Sequence, residues 1–335
     1  MDEFQRHGGL LIDEMKLSES LKVTSSGFIE GFVDLGKYTS LDQSTQTCDN
    51  GLVVLYQPFS GNFQQILGVF GSHGNVKAYV LAKIIVDATL AAEKSGLFVD
   101  LVTPDGASWN RSLWREFGIK RTSKSIVCKV KHPADNSRSL HLSDFPHLVK
   151  CTRNSVVSTG LQVPQGRVRI DVVIEAWKFR RHSRDIVRLK AMPRVTIVVI
   201  ERNGFEKMKI NYAFTFFSDE IIRGLYAYRE DIERICGTGS SKATTCFIRR
   251  MAKLIAAMTY RCSRDAMRPS SPVLAEVKDF IAYLDAWEEE VGKLGFLSQG
   301  TGEGLRVTLA STVSILEFLT TKLGYQYSGE CIPES

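Results

Sequence analysis

The amino-terminal third of the chain carries strand-like patterns. Leu10-Leu11-Ile12 form a short apolar run within residues 9–17 that closes on Asp13-Glu14-Met15. Residues 28–35 alternate loosely around Gly31. Residues 52–56 and 65–70 read as a further strand pair, with Ser60-Gly61-Asn62 suited to the turn between them. The period then changes. Val76, Val80, Ile84 and Ala88 recur four apart, with Leu81 and Ile85 beside them, which predicts a helix capped by Asn75 and stopped at Gly96. The run Leu97-Phe98-Val99-Asp100-Leu101-Val102 reads as a buried strand and leads into Thr103-Pro104-Asp105-Gly106. A helix over 108–117, closed by Gly118, and a strand over 139–142 follow.

Strand, strand, strand, helix, strand, helix, strand is the order of an RNase H-like fold, and other α/β folds share it. From about Lys150 the pattern is mostly helical. Val273, Val277, Phe280, Ile281, Leu284 and Trp287 mark one amphipathic face, and Leu305, Leu309, Val313 and Leu316 mark another. The predicted class is therefore α/β, a mixed RNase H-like sheet with helices, joined to a mostly α-helical region. There is no internal repeat.

Bulk properties narrow the function classes only slightly. The 335 residues are 44% hydrophobic and 24% charged, ordinary values for a globular protein. A net charge of +6 permits a nucleic-acid partner without requiring one. Seven scattered cysteines form no CxxC pair, which points away from a structural zinc site and toward free thiols. The amino terminus lacks the order of a secretion signal, and no apolar run approaches the roughly 18 residues that span a bilayer. The expectation is a soluble intracellular protein with no membrane partner.

Two acids stand where metal chemistry could use them. Two-metal phosphoryl transfer needs carboxylates from separate elements to converge on ions about 3.5–4 Å apart. In an RNase H-like sheet the first and fourth strands are neighbours. Asp13 lies near the end of the first run, and Asp105 directly follows the fourth, with Gly106 able to turn the backbone beside it. Acids at strand ends are also what solvated or turn-capping side chains look like, so the pattern alone leaves both readings open.

Ordered motifs extend the reading. Leu10-Leu11-Ile12-Asp13-Glu14-Met15-Lys16, Gly31-Phe32-Val33-Asp34-Leu35-Gly36, Asp105-Gly106-Ala107-Ser108-Trp109-Asn110-Arg111 and Ser143-Asp144-Phe145-Pro146-His147-Leu148-Val149-Lys150 occur in that sequence. Phe205-Glu206-Lys207-Met208-Lys209 and Gly302-Glu303-Gly304-Leu305-Arg306 continue it. Together they resemble the P-element-type transposases, the group that includes the THAP-domain transposases. The resemblance implies a split RNase H-like domain interrupted by a helical, GTP-binding-type insertion. It divides the chain into 1–150, an insertion over 151–297, and a returning part over 298–335. It also implies Mg-dependent cleavage and joining of DNA at transposon ends in the nucleus, with Asp13 and Asp105 as catalytic metal ligands, and it admits a homo-oligomer. Asp34 and Asp144 fall in family-like motifs and are expected to be structural. His147 is expected to pack or cap, and Lys150, Arg153 and Asn154 to meet phosphate or line a solvated helix face.

The chain also departs from the family. The third catalytic acid belongs to a segment resembling Asn-Gln-Asp-x-x-Glu-x-Phe-Phe-Gly after an aromatic stretch matched here by Leu323-Gly324-Tyr325-Gln326-Tyr327. The sequence instead reads Ser328-Gly329-Glu330-Cys331-Ile332-Pro333-Glu334-Ser335, and Glu330 is a poor substitute. The expectation is a truncated, catalytically incomplete chain with weak residual magnesium binding. The insertion helix reads Met251-Ala252-Lys253-Leu254-Ile255-Ala256, where the family has Asn and Asp to hold a nucleotide. Alanine offers no hydrogen bond, which argues against GTP, and Ala252 and Ala256 suit a helix interface instead. Lys209 and Arg194 remain as basic residues able to contact phosphate. The cysteines of a THAP-type finger are absent. The stretch from Lys178 to Lys190 is the basic candidate for DNA contact, with an amphipathic surface helix as its other reading. A non-enzymatic DNA-binding or scaffold protein and a nucleotide-binding regulator stay open as alternatives.

Overall fold

Short apolar runs, continuous in the central strands and alternating in the next, place six strands in one sheet. The computed structural model describes residues 4–61, 63–104, 110–121, 125–182, 191–200, 209–259 and 265–326. The strands are β1 (His7–Lys16), β2 (Asn50–Pro58), β3 (Gln65–Ser72), β4 (Phe98–Pro104), β5 (Lys129–Lys131) and β6 (Ser139–Leu142). They lie in the order β3-β2-β1-β4-β6-β5. The first three form an antiparallel meander, β1, β4 and β6 run parallel, and β5 returns antiparallel to β6. This is the mixed RNase H-like sheet that the element order predicted.

β1 is central because its first four residues, His7 to Leu10, are all buried, while its last residues emerge into solvent. Close strand approach demands glycine there. A Cβ on Gly8 would lie 2.3 Å from the Gln57 carbonyl oxygen and 2.7 Å from the Tyr56 hydroxyl. Helix α1 (Ala78–Lys94) buries Val80, Leu81, Ile84, Ile85 and Ala92, the face its four-residue period predicted, and packs on β4. It begins behind Lys77 rather than Asn75. Asp49 accepts the Gly74 N–H at 2.6 Å, so the turn preceding the helix is held by another acid. Residues 28–35 do not form one strand. Ile29–Glu30 pairs with Lys22–Val23, and Gly31, at φ 107°, breaks the run before isolated bridges at Phe32 and Asp34.

Two compact units are present: Met1–Asp144 with Ala310–Cys331, and Phe145–Leu309. In the first, a core of Phe59, Leu101, Ile315 and Leu319, with Phe318, Leu323 and Tyr325 packed against it, joins the sheet to residues far along the chain. Helix α2 (Asn110–Glu116) also belongs to it.

The second unit is helical: α3 (Phe145–Ser158), α4 (Ile170–His182), α5 (Ile197–Ile200), α6 (Ile210–Phe216), α7 (Asp219–Ala227), α8 (Arg229–Cys236), α9 (Ser240–Met258), α10 (Pro272–Gly295) and the start of α11 (Gln299–Thr321). Phe217, Phe247, Trp287 and Phe296 meet edge to face at its centre. Arg306, 1% exposed in side chain, bonds Asp285, Glu288 and the Leu284 carbonyl there. Among the described residues no helix is long and apolar enough to cross a membrane.

Candidate active site

Three parallel strands end at one edge of the sheet, and each leads to an acid. Ile12 of β1 stands opposite Pro104, the last residue of β4, so Asp13 lies just past the end of its neighbour. Asp105 is the next residue in the chain after Pro104 and lies outside the described residues. On β6, Leu142 pairs with Val102 and the Ser143 N–H donates to the Val102 carbonyl. Asp144 therefore follows at the level of Pro104. It is 4% exposed, whereas Asp13 is open to solvent.

The local chemistry of Asp13 follows from its position. Strand alternation turns it away from Ile12 and out of the core. Its Oδ1 accepts the Glu14 N–H at 2.8 Å, and Oδ2 has no partner among the described residues. Glu14 points to the other face, where Ser72 Oγ reaches its carboxylate at 3.4 Å. Hard carboxylate oxygens at an open strand end are the donor type that Mg²⁺ takes, usually one or two carboxylates completed by water and phosphate. No cluster of three or more His, Cys, Asp or Glu side chains with metal-holding geometry occurs among the described residues.

Other sequence-predicted positions sort themselves by burial. Asp34 is spent on a turn, with Oδ1 accepting the Gly36 N–H at 2.8 Å. His147 is buried on α3, its Nε2 3.1 Å from Cys151 Sγ. Lys150 and Arg153 are 8% and 1% exposed, so they neither line a solvated face nor stand open to phosphate. Arg153 instead donates to the Val199 carbonyl at 2.7 Å. Of the basic stretch, Lys178 pairs with Glu175 and Phe179 stacks on Tyr228, while residues 183–190 lie outside the described residues.

Arg194 and Lys209 are not joined by any hydrogen bond or ion pair among the described residues. Arg194 bonds Glu220 twice, through its backbone N–H at 3.0 Å and its Nε at 2.5 Å. Burial alone would raise the Glu220 carboxyl, but these bonds and the charges of Arg194 and Arg223 hold it below the usual range. Lys209 precedes α6 and lies over the Tyr212 ring. Ala256 of α9 is exposed and Ala252 half-buried, so neither is enclosed by a helix interface among the described residues.

The sequence reading passed over a buried charge network. Asp100, fully buried in β4, meets His7 at 2.6 Å and Arg138 at 2.7 Å. Arg138 also holds Glu93 at 2.9 Å, and Glu93 meets His132 at 3.2 Å. The available signal was an aspartate inside the apolar run 97–102, which must be paired to be buried. His7 opens β1, so this network stands near the start of that strand, away from Asp13.

A sequence-family profile described as TNP-like, RNase H N-terminal domain matches residues 1–118. The Transposable element P transposase of Drosophila melanogaster is 28% identical over 149 residues, which is 43% of this chain and 19% of that protein. The RNase H-like domain is homologous to that of P element transposase. The solved Drosophila P element transposase strand transfer complex agrees in fold, with a TM-score of 0.72 at 19% identity over 98% of this chain and 68% of that one. Asp13 lies within the residues that the RNase H N-terminal profile matches. The sequence match to the curated relative covers under a fifth of its length.

Proposed function

We propose that this chain is a P-element-type DNA-processing module whose sheet edge holds magnesium through Asp13 and Asp105. The observation that supports this reading is the register: Ile12 stands opposite Pro104 on parallel strands, and Asp13 and Asp105 are the next residues in the sequence after each. When bound, the metal supplies Lewis-acid stabilisation for cleavage and joining of phosphodiester bonds. The chain's own part is to hold Asp13 at the end of a sheet strand, in solvent reach of DNA. The 1–150 and 298–335 parts would together form the RNase H-like domain, with 151–297 as its insertion and the nucleus as its site of action.

Two carboxylates make an incomplete two-metal site, so these 335 residues alone are proposed to bind metal weakly and to leave DNA uncut. A polypeptide running on into a third acid would complete the set. Titrating Mn²⁺ with paramagnetic detection tests the site: Asp13→Asn and Asp105→Asn should each weaken binding about tenfold or more, and unchanged binding in both would refute the assignment. Incubation with labelled duplex and Mg²⁺ or Mn²⁺ tests incompleteness. Metal-dependent cutting abolished by Asp13→Ala would overturn it while leaving the site standing.

A further inference from the structure

We propose that the outer face of α9 is a track for the phosphate backbone of duplex DNA; this rests on the reading that DNA is the partner. The nineteen residues of α9 include Lys242, Arg249, Arg250 and Lys253 and no acid. Phe247, Ile248, Met251, Leu254 and Ile255 face the core, and the four cations are exposed. Lys242, Arg249 and Lys253 stand at i, i+7 and i+11, which returns each to within about 20° of one line on a helix of 3.6 residues per turn. At 1.5 Å per residue the line is about 16 Å long. Duplex DNA carries one charge per about 1.7 Å of axis, so a track of this length spans several phosphates.

Ordinary solvated helix faces interleave both signs, as α10 does with exposed Lys278, Asp279, Glu289, Glu290 and Lys293. The α9 face does not. Lys253 meets Glu276 at 2.8 Å, a solvent-exposed pair of little weight. Lys242, Arg249 and Arg250 make no ion pair among the described residues. Glu233, which accepts a hydrogen bond from Ser241 at the start of α9, is already paired with Arg229.

Two of the cations are also held in place. The Arg249 guanidinium lies 5.1 Å from the Tyr226 ring centroid, and that of Arg250 lies 4.1 Å from Tyr283. Tyr226 is 52% exposed. Stacking on a ring fixes the guanidinium plane without neutralising it and leaves N–H edges for phosphate oxygens. Holding a side chain before contact reduces the entropy lost on binding.

The experiment is salt-dependent binding of a labelled random-sequence duplex by the full chain, read by fluorescence anisotropy. The triple variant Lys242→Gln, Arg249→Gln, Lys253→Gln loses three cations, as does a control with Lys83→Gln, Lys94→Gln and Lys322→Gln, all exposed elsewhere. Each phosphate contact contributes about 0.9 to the log–log salt slope, so the α9 triple should lower the slope by about 2.7. Between about 50 and 200 mM salt, wild type should then lose about 40-fold more affinity than that variant. The control should keep most of the slope, and matching circular dichroism should show all three proteins folded. A wild-type duplex complex whose slope survives the α9 triple, or falls equally in the control, overturns this inference and leaves the DNA reading intact. A wild type that binds no duplex at low salt overturns both. Capture of an acidic polypeptide through these residues, with no effect on duplex affinity, would reassign the face to a protein partner.

Discussion

Acidification should destabilise the sheet unit through one buried imidazole. His141, in β6, is 2% exposed. Its Nδ1 lies 3.1 Å from the Asp100 carbonyl oxygen and its Nε2 3.1 Å from Ser314 Oγ. A carbonyl only accepts, so Nδ1 carries the proton and Nε2 accepts from the serine hydroxyl, which satisfies the neutral ring completely. A second proton would reverse the serine bond, with Nε2 now donating to a hydroxyl that already accepts from Lys129, and would bury a charge. Burial dominates, opposed by the Asp100 carbonyl and reinforced by the charge of Lys129, and the pKa falls from 6.5 to about 4. Between those values the unfolded chain binds a proton that the folded chain refuses, so stability falls as pH falls. The full gap is worth about 3 kcal/mol, and about 1.4 kcal/mol is already lost near pH 5.5. Guanidinium unfolding of wild type and His141→Gln from neutral pH to about pH 4.5 should show a wild-type profile steeper by about 2.5 kcal/mol. Hydrogen exchange in β4 and β6 keeps the readout on this unit, since two units need not unfold together. Parallel profiles would refute the reasoning, because they would mean that the protonated ring is solvated in place.

The buried network gives a second test. Arg138→Met strands Asp100 and Glu93 without their cation and should cost about 3–5 kcal/mol, whereas Glu93→Gln, Asp100→Leu and Arg138→Met together should recover most of it in chemical denaturation. Burial alone would raise Glu93, but hydrogen bonds from His132 and the Val99 N–H, with the charge of Arg138, carry it below 4.5. Its contribution is therefore present above pH 4.5 and lost as pH falls through the depressed value, an acid limb that Glu93→Gln should remove from the stability profile. Gly8→Ala forces a Cβ to 2.3 Å from the Gln57 carbonyl and should cost about 3 kcal/mol, so a melting temperature equal to wild type would show that β2 can move aside.

The sheet was legible because β2 alternates with a period of two, while β1 and β4 carry the short continuous apolar runs of strands covered on both faces. The place of Asp13 at a strand end was legible because it closes the apolar run Leu10-Leu11-Ile12, and its role there stays a proposal. Residues 28–35 misled because Gly31 interrupts an alternation that looks continuous as letters. Lys150 and Arg153 misled because charge was read as exposure, while α3 buries both. The His7–Asp100 contact joins residues 93 apart, and no local pattern announces a partner at that distance. Asp105, Tyr327 and Glu330 lie outside the described residues, so their reading rests on sequence alone.

The family-like motifs divide by physical role, and the division bears on what the fold can testify to. Gly302-Glu303-Gly304-Leu305-Arg306 is a packing device: a Cβ on Gly302 would lie 2.3 Å from Phe296, one on Gly304 2.6 Å from Leu148, and Arg306 is buried among acids and carbonyls. Asp13 is the opposite case, exposed and holding only the N–H of its own neighbour. Surface changes of that kind usually move stability by no more than about 0.5 kcal/mol. Substitution in the first motif therefore disturbs folding, while substitution of Asp13 leaves folding nearly untouched. A match in fold therefore bears on the packing residues and leaves the role proposed for Asp13 to be tested by metal binding.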